Sequence, residues 1–270
     1  LSLVGSEMCI RDRPMKLAAY EGLFEGSEGA DLVAFGIMNP SKTAGDDQNP
    51  FLFEVAIPKG LSLLGKREFN AFIPGIDDLV YGNAEQNIVG YGEKIERGKQ
   101  AIVDLSAYKD AKKAGDTAAA EVSLAQFKQN QDYMGFGYLQ QPEDGIPPVQ
   151  LSYYSFHIMV YLAVFFGLLC LAYLVYGIKD TIEQKRWLLP LGVISFFLAM
   201  IASQAGWIVA EVGRQPWAIQ NMLPVGAATS NLDAGNVMTT FWMFAGLFTL
   251  LLLAEIKIML NQIKKGPEGA

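Results

Sequence analysis

At 270 residues, 51% hydrophobic and with a mean hydropathy of +0.22, the chain is too apolar for an ordinary soluble domain and not apolar enough to lie wholly in a membrane. Its acidity is confined to one part: residues 1–150 carry 14 Lys+Arg against 22 Asp+Glu, while residues 151–270 carry 7 against 6. A basic footprint for nucleic acid is thereby excluded, and two cysteines, Cys9 and Cys170, are too few for a disulfide framework or a metal site of their own.

Leu1 to Arg13 has neither the basic n-region nor the long apolar h-region of a signal peptide, and it cannot span a membrane. Its run Ser6-Glu7-Met8-Cys9-Ile10-Arg11-Asp12-Arg13 has the wording of translated adapter sequence. Residues 1–13 are therefore read as non-native, with native sequence expected from near Pro14 as part of a longer chain. Pro14-Met-Lys-Leu-Ala-Ala-Tyr-Glu21 predicts a helix start carrying Lys16 and Glu21. On these residues alone both charges belong on a wet face.

Residues 22 to about 92 are punctuated by Asn39-Pro40, Gly45-Asp46-Asp47, Asn49-Pro50, Pro58-Lys59-Gly60 and Pro74-Gly75. Between them lie short apolar runs such as Phe51-Leu-Phe-Glu-Val-Ala-Ile57, which predict turns and short extended pieces. From Glu93 to about Phe127, Ile95, Ile102, Leu105, Tyr108, Val122, Leu124 and Phe127 recur among charges. They predict one or two surface helices broken near Gly115-Asp116. Residues 14–150 thus read as one loop-rich extracytoplasmic domain.

Three apolar segments follow, about 153–178, 187–210 and 237–260, each long enough at 1.5 Å per residue to cross roughly 30 Å of hydrocarbon. Lys179, Lys185 and Arg186 follow the first, and Lys264 and Lys265 follow the last, whereas the loop after the second offers only Arg214. The positive-inside rule puts the acidic domain and Arg214 outside, and the C-terminus with its tail, 266–270, in the cytoplasm. Glu255 and Lys257 read as a snorkelling pair at the inner boundary, with a proton path as the alternative. Trp187, Trp217 and Trp242 fit interfacial belts.

The stretch from Gly206 to Trp217 closes the second segment with a carboxylate, a guanidinium and two indoles. Trp207, Glu211 and Arg214 stand at i, i+4 and i+7, so a helix continuing through them projects all three from one face. Glu211 there either snorkels to water or faces a buried polar object such as a metal or cofactor. In the first segment Met159 reads on its own as core filler. His157, the one histidine in the sequence, lies two residues away and on another helix face.

The run Gly213-Arg214-Gln215-Pro216-Trp217 resembles the signature of subunit I of the cytochrome bd-type quinol oxidases. Two further runs agree with it. Lys16-Leu-Ala-Ala-Tyr-Glu21 resembles the opening of that family's long quinol loop, with Arg13 where the family has Gln, and Phe156-His-Ile-Met-Val160 resembles its Phe-Arg-Ile-Met-Val. The resemblance implies Lys16 and Glu21 at the quinol, Met159 as an axial ligand of low-spin haem b, and Glu211 as an axial ligand of a high-spin haem. It further implies Trp207 between haems with Arg214 accompanying them, and His157, in place of the family's Arg, hydrogen-bonded at the interface near a haem propionate or, alternatively, ligating. The cofactors implied are low-spin haem b, high-spin haem b and haem d. Oxygen is the electron acceptor, subunit II and any small accessory subunit are the partners, and the bacterial cytoplasmic membrane is the location.

The fold class expected is therefore membrane all-α, three transmembrane helices after a mixed, loop-rich extracytoplasmic domain, as a fragment of a larger multi-helix subunit that is inactive alone. Electrons from quinol would reach the low-spin haem at Met159 and then the high-spin pair near Glu211, where oxygen becomes water. Proton release outside and uptake from the cytoplasm would separate charge. The competing readings are a haem-free three-span adaptor or transporter subunit and, among haem proteins, an electron-transfer subunit without oxygen chemistry.

Overall fold

The computed structural model describes residues 13–230 and 232–266, and the chain divides into two compact units after Ala228. The reading of residues 1–13 as non-native, Arg13 apart, lies outside the described residues, as does the tail beyond Gly266.

In the first unit, α1 (Pro14–Glu21) starts on a proline, whose fixed φ suits the first helical position. It stops at Gly22, which takes φ +67° and returns its N–H to the carbonyls of Ala18 and Ala19. Met15, Leu17, Ala18, Ala19 and Glu21 are all buried, so α1 is clasped on most sides rather than amphipathic. The wet-face placement of Glu21 does not hold.

Residues 22–90 form the short pieces that their turn residues predict. Strand β1 (Ser27–Glu28) pairs with β4 (Phe72–Ile73), and β2 (Leu32–Met38) pairs with β3 (Phe51–Ile57), both antiparallel. Helices α2 (Gly60–Lys66) and α3 (Ile76–Tyr81) lie between and after them. Two long helices follow, α4 (Tyr91–Ala114) and α5 (Thr117–Asn130). They break at Gly115, in the left-handed region, and restart on Asp116, whose carboxylate accepts the N–H of Ala119 at 3.0 Å. A 3-10 segment, Gln131–Tyr138, returns along α4 so closely that a Cβ on Gly98 would collide with the backbone of Gly137.

Met15, Phe24, Ile76, Leu79, Tyr91 and Phe136 form the domain core together with Tyr153 and Trp217. Trp217, expected at a membrane interface, is 2% exposed with its ring 4.9 Å from that of Phe136. An indole in a packed aromatic core buries more apolar surface than a belt position allows.

Helix α6 (Val149–Ile178) begins before the expected Tyr153, and α7 (Leu188–Val212) runs past Ala210. They pack side by side, and Tyr173 donates its hydroxyl to the carbonyl of Leu188 at 2.7 Å. The first turns of α6 are sunk in the loop domain, with Ser152, Tyr153, Ser155 and His157 buried, whereas Val164, Leu168 and Leu171 further down are exposed. Helix α7 stops at Val212 because the Arg-Gln-Pro run cannot continue it: a residue before proline is steered out of the helical region. Arg214 is therefore not on the helix. After it, β5 (Trp217–Ile219) pairs with β6 (Leu223–Pro224).

The second unit is α8 (Ala234–Lys265), 32 residues long. The hydroxyls of Thr239, Thr240 and Thr249 donate to the carbonyls of Gly235, Asn236 and Ala245, which hides polar hydrogens that hydrocarbon would not satisfy. Glu255 and Lys257 lie on this helix, with Lys264 and Lys265 in its last turn. Helices α6, α7 and α8 are each long and apolar enough to cross a membrane.

Candidate functional site

Glu21 ends α1 at 5% exposure, and its Oε2 has no hydrogen-bond partner. Burial alone pushes its carboxyl up from 4.5 to about 8, because a low-dielectric setting disfavours the ionised form. The side chain lines a cavity of about 350 Å³ whose wall also includes Phe24, Lys42, Asp47, Phe51 and Glu54. Helix α1 lies against α6, with the Tyr20 and Phe156 rings 4.4 Å apart.

Lys16 and Glu21 do not share this cavity. Five residues apart on a helix, they are about 140° apart around its axis. Lys16 instead lies against the end of α7: a Cβ on Gly213 would stand 3.3 Å from its Cε. The cation on the Glu21 cavity is Lys42, which no sequence pattern singled out. Its ammonium bonds the carbonyl of Asp46 and, at 2.9 Å, Asp46 Oδ1, and it stands 5.1 Å from the centre of the Phe24 ring. The Lys42 hydrogen bond, and then the N–H of Thr43, hold the Asp46 carboxyl well below the usual carboxylate range. In the sequence Lys42 sits in a Gly- and Asp-rich loop that reads as solvated. The i, i+4 spacing of Lys42 and Asp46 is the single hint.

Met159 faces α7, with its Sδ 3.2 Å from where a Cβ of Gly206 would be. Glu211 lies five residues on, about 7.5 Å along the axis. Arg214, though past the helix end, turns back to it: Nη2 donates to Glu211 Oε1 at 3.1 Å, while its buried Nε has no partner. Trp207 is 63% exposed. His157 Nδ1 lies 3.0 Å from the carbonyl of Tyr153 and Nε2 3.0 Å from that of Val33. Both ring nitrogens thus face main chain, and the ring ties α6 to β2.

Among the described residues no three His, Cys, Asp or Glu side chains converge. The donor set is a thioether on α6 and a carboxylate on α7, beside a buried guanidinium nitrogen lacking an acceptor. A thioether at Met159 and a half-exposed carboxylate at Glu211 are donor types that can ligate iron. The orphaned Arg214 Nε fits an anionic group such as a propionate.

A long folded loop domain ahead of three helices, each long and apolar enough to cross a membrane, defines a multi-pass membrane protein. The chain belongs to the cytochrome bd terminal oxidase subunit I family, whose model matches residues 4–267. It is 31% identical to cytochrome bd-II ubiquinol oxidase subunit 1 of Escherichia coli over 95% of this chain and 50% of that one. It is 25% identical to cytochrome bd ubiquinol oxidase subunit 1 of Bacillus subtilis over 97% and 44%. Its fold matches the bd oxidase of Geobacillus thermodenitrificans with a TM-score of 0.59 and 25% identity, covering 98% of this chain and 45% of that one. The chain spans about half the length of these relatives.

Proposed function

We propose that the chain forms the quinol-oxidising part of a cytochrome bd-type quinol:oxygen oxidoreductase, acting with the rest of subunit I and with subunit II. The observation that carries this reading is the Glu21 carboxyl, buried, unpartnered at Oε2 and open to the 350 Å³ cavity, on a helix packed against the one that bears Met159. Quinol oxidation releases two protons with two electrons, and the proton acceptor must lie within hydrogen-bond reach of the hydroxyl. A carboxyl raised to about 8 is a stronger base than a solvated one, and the apolar surroundings favour it once protonated. Lys16, on the far side of α1, positions the helix against the end of α7, where Glu211 and Arg214 pair.

Low-spin haem b at Met159 and a high-spin haem at Glu211, with haem d completing the set, supply the one-electron acceptors and the oxygen-binding iron when bound. Arg214 is poised to hold an anionic edge through Nε, Trp207 lies one residue beyond the Met159 contact on α7, and His157 holds the loop domain to α6. With Lys179, Lys185, Arg186, Lys264 and Lys265 on the cytoplasmic side, residues 14–150 are extracytoplasmic and quinol protons leave outside.

The test is a reduced-minus-oxidised spectrum of membranes carrying complete subunit I with subunit II, for wild type, Met159→Leu and Glu211→Ala. Selective loss of the low-spin b signal in the first and of high-spin signals in the second is expected. Unchanged spectra with protein present would return Met159 to packing and Glu211 to a boundary charge.

A further inference from the structure

A second, larger cavity beside the first turns of α6 takes no part in the chemistry above. It encloses about 950 Å³, and Ala44, Ile146, Val149, Leu151 and Tyr154 line it with Tyr81 at its polar edge. Phe24 and Lys42 line it too, and these same two side chains line the cavity into which Glu21 opens. They form a stretch of wall that both cavities share. The Lys42 charge is met inside the protein by Asp46 and by the face of the Phe24 ring, so the wall offers stem and ring rather than an unmet ion.

The two chambers differ in character. The smaller is edged by several carboxylates, including Glu21, Asp47 and Glu54, whereas around the larger a single carboxylate, Glu143, which accepts the Tyr81 hydroxyl, stands among predominantly apolar side chains. The larger chamber also adjoins the place where the chain passes from the loop domain into α6, whose exposed residues from Val160 downward are apolar. A membrane quinol has the same two parts, a small ring bearing hydroxyls and a long branched hydrocarbon, and these need different surroundings.

Resting on the Glu21 cavity as the ring site, we propose that the larger cavity holds the isoprenoid chain of the same quinol, with the Phe24–Lys42 wall at the junction of ring and chain. The first turn of α6 then selects for chain length independently of ring chemistry.

The experiment compares two quinols with one ring, the first bearing a long isoprenoid chain and the second a short alkyl group, on complete subunit I with subunit II in membranes. Leu151→Trp and, separately, Gln150→Trp fill the larger cavity from exposed positions, so the core is not asked to repack. The ratio of KM for the long-chain quinol to KM for the short one is expected to rise about fivefold or more, the scale of one or two methylene groups losing apolar surroundings. A smaller rise in the ratio, whether both KM values are static or rise together, overturns the proposal by assigning the cavity to lipid or to another part of the subunit. Haem absorbance per unit protein reports assembly, and Leu151→Phe replaces a tryptophan variant that fails it. Glu21→Gln separates the underlying reading: if it leaves oxidation of both quinols untouched, the ring site falls whatever the ratio does.

Discussion

Replacing Glu21 by Gln keeps the side chain's size and removes its ability to ionise. In the wild type, burial raises this carboxyl from 4.5 to about 8, so the fold prefers the protonated form. The linkage has a definite sign: the stability contribution is complete below pH 4.5 and is lost as pH rises through about 8. At about 1.4 kcal/mol per pH unit, that loss approaches about 5 kcal/mol for one buried group. The Gln variant pays no such ionisation cost, so its loop domain should resist protease equally at pH 6 and pH 9, while the wild type loosens. Activity moves the other way. If the ionised form accepts the quinol proton, about a tenth of the enzyme is competent at pH 7, and kcat/KM should climb toward a plateau above pH 8. In the Gln variant that limb should vanish and kcat/KM at pH 8 should fall by about a hundredfold or more. Quinol-driven oxygen consumption from pH 6 to 9.5 measures both effects. A Gln variant that keeps the same limb, within a few-fold of wild-type rate, would refute Glu21 as the acceptor.

Two further outcomes follow from close contacts. Gly206→Val places a branched side chain where a Cβ alone would stand 3.2 Å from Met159 Sδ; redox titration should show the low-spin haem signal displaced or lost with the high-spin signals kept, and an unaltered low-spin signal would separate Met159 from that haem. Ser62 is fully buried, accepts the N–H of Ala30 at 2.7 Å and donates to the carbonyl of Ala71 at 2.8 Å. Ser62→Ala orphans both groups and should cost about 2 to 4 kcal/mol, read as a lower temperature for protease cleavage of the loop domain, with no shift in the haem spectrum.

What was legible in the sequence was what depends on near neighbours. Three segments of more than twenty predominantly apolar residues declared three helices, and Gly115-Asp116 declared both the end of α4 and the start of α5, since one supplies a left-handed cap and the other an N-cap. Met159 and Glu211 stood out as residue types within recognisable words, and the haem spectra of their variants test the roles proposed for them. Burial was not, because it is decided by partners far along the chain. Glu21 is buried because α1 lies against α6, more than a hundred residues later. Trp217 looks like a belt residue until Phe136 is brought to its face. The separation of Lys16 from Glu21 follows from helix geometry, but which of them meets the cavity depended on what α1 packs against.

Besides side-chain packing around Tyr153, strand β2 is tied to α6 through its main chain. Tyr161 donates to the carbonyl of Ala34, His157 faces that of Val33, and the Tyr154 hydroxyl accepts the N–H of Met38. Such contacts are indifferent to the side chains of the strand they hold. The outward positions of strand β2 can therefore drift in sequence over evolutionary time without losing this anchorage, unlike Gly36, where a Cβ would collide with Tyr153 Oη at 2.8 Å, and Met38, which is buried in the core. A lineage could remodel the outward surface of this hairpin to suit a different neighbour while the buried Glu21 carboxyl stays in register with the helix beneath it.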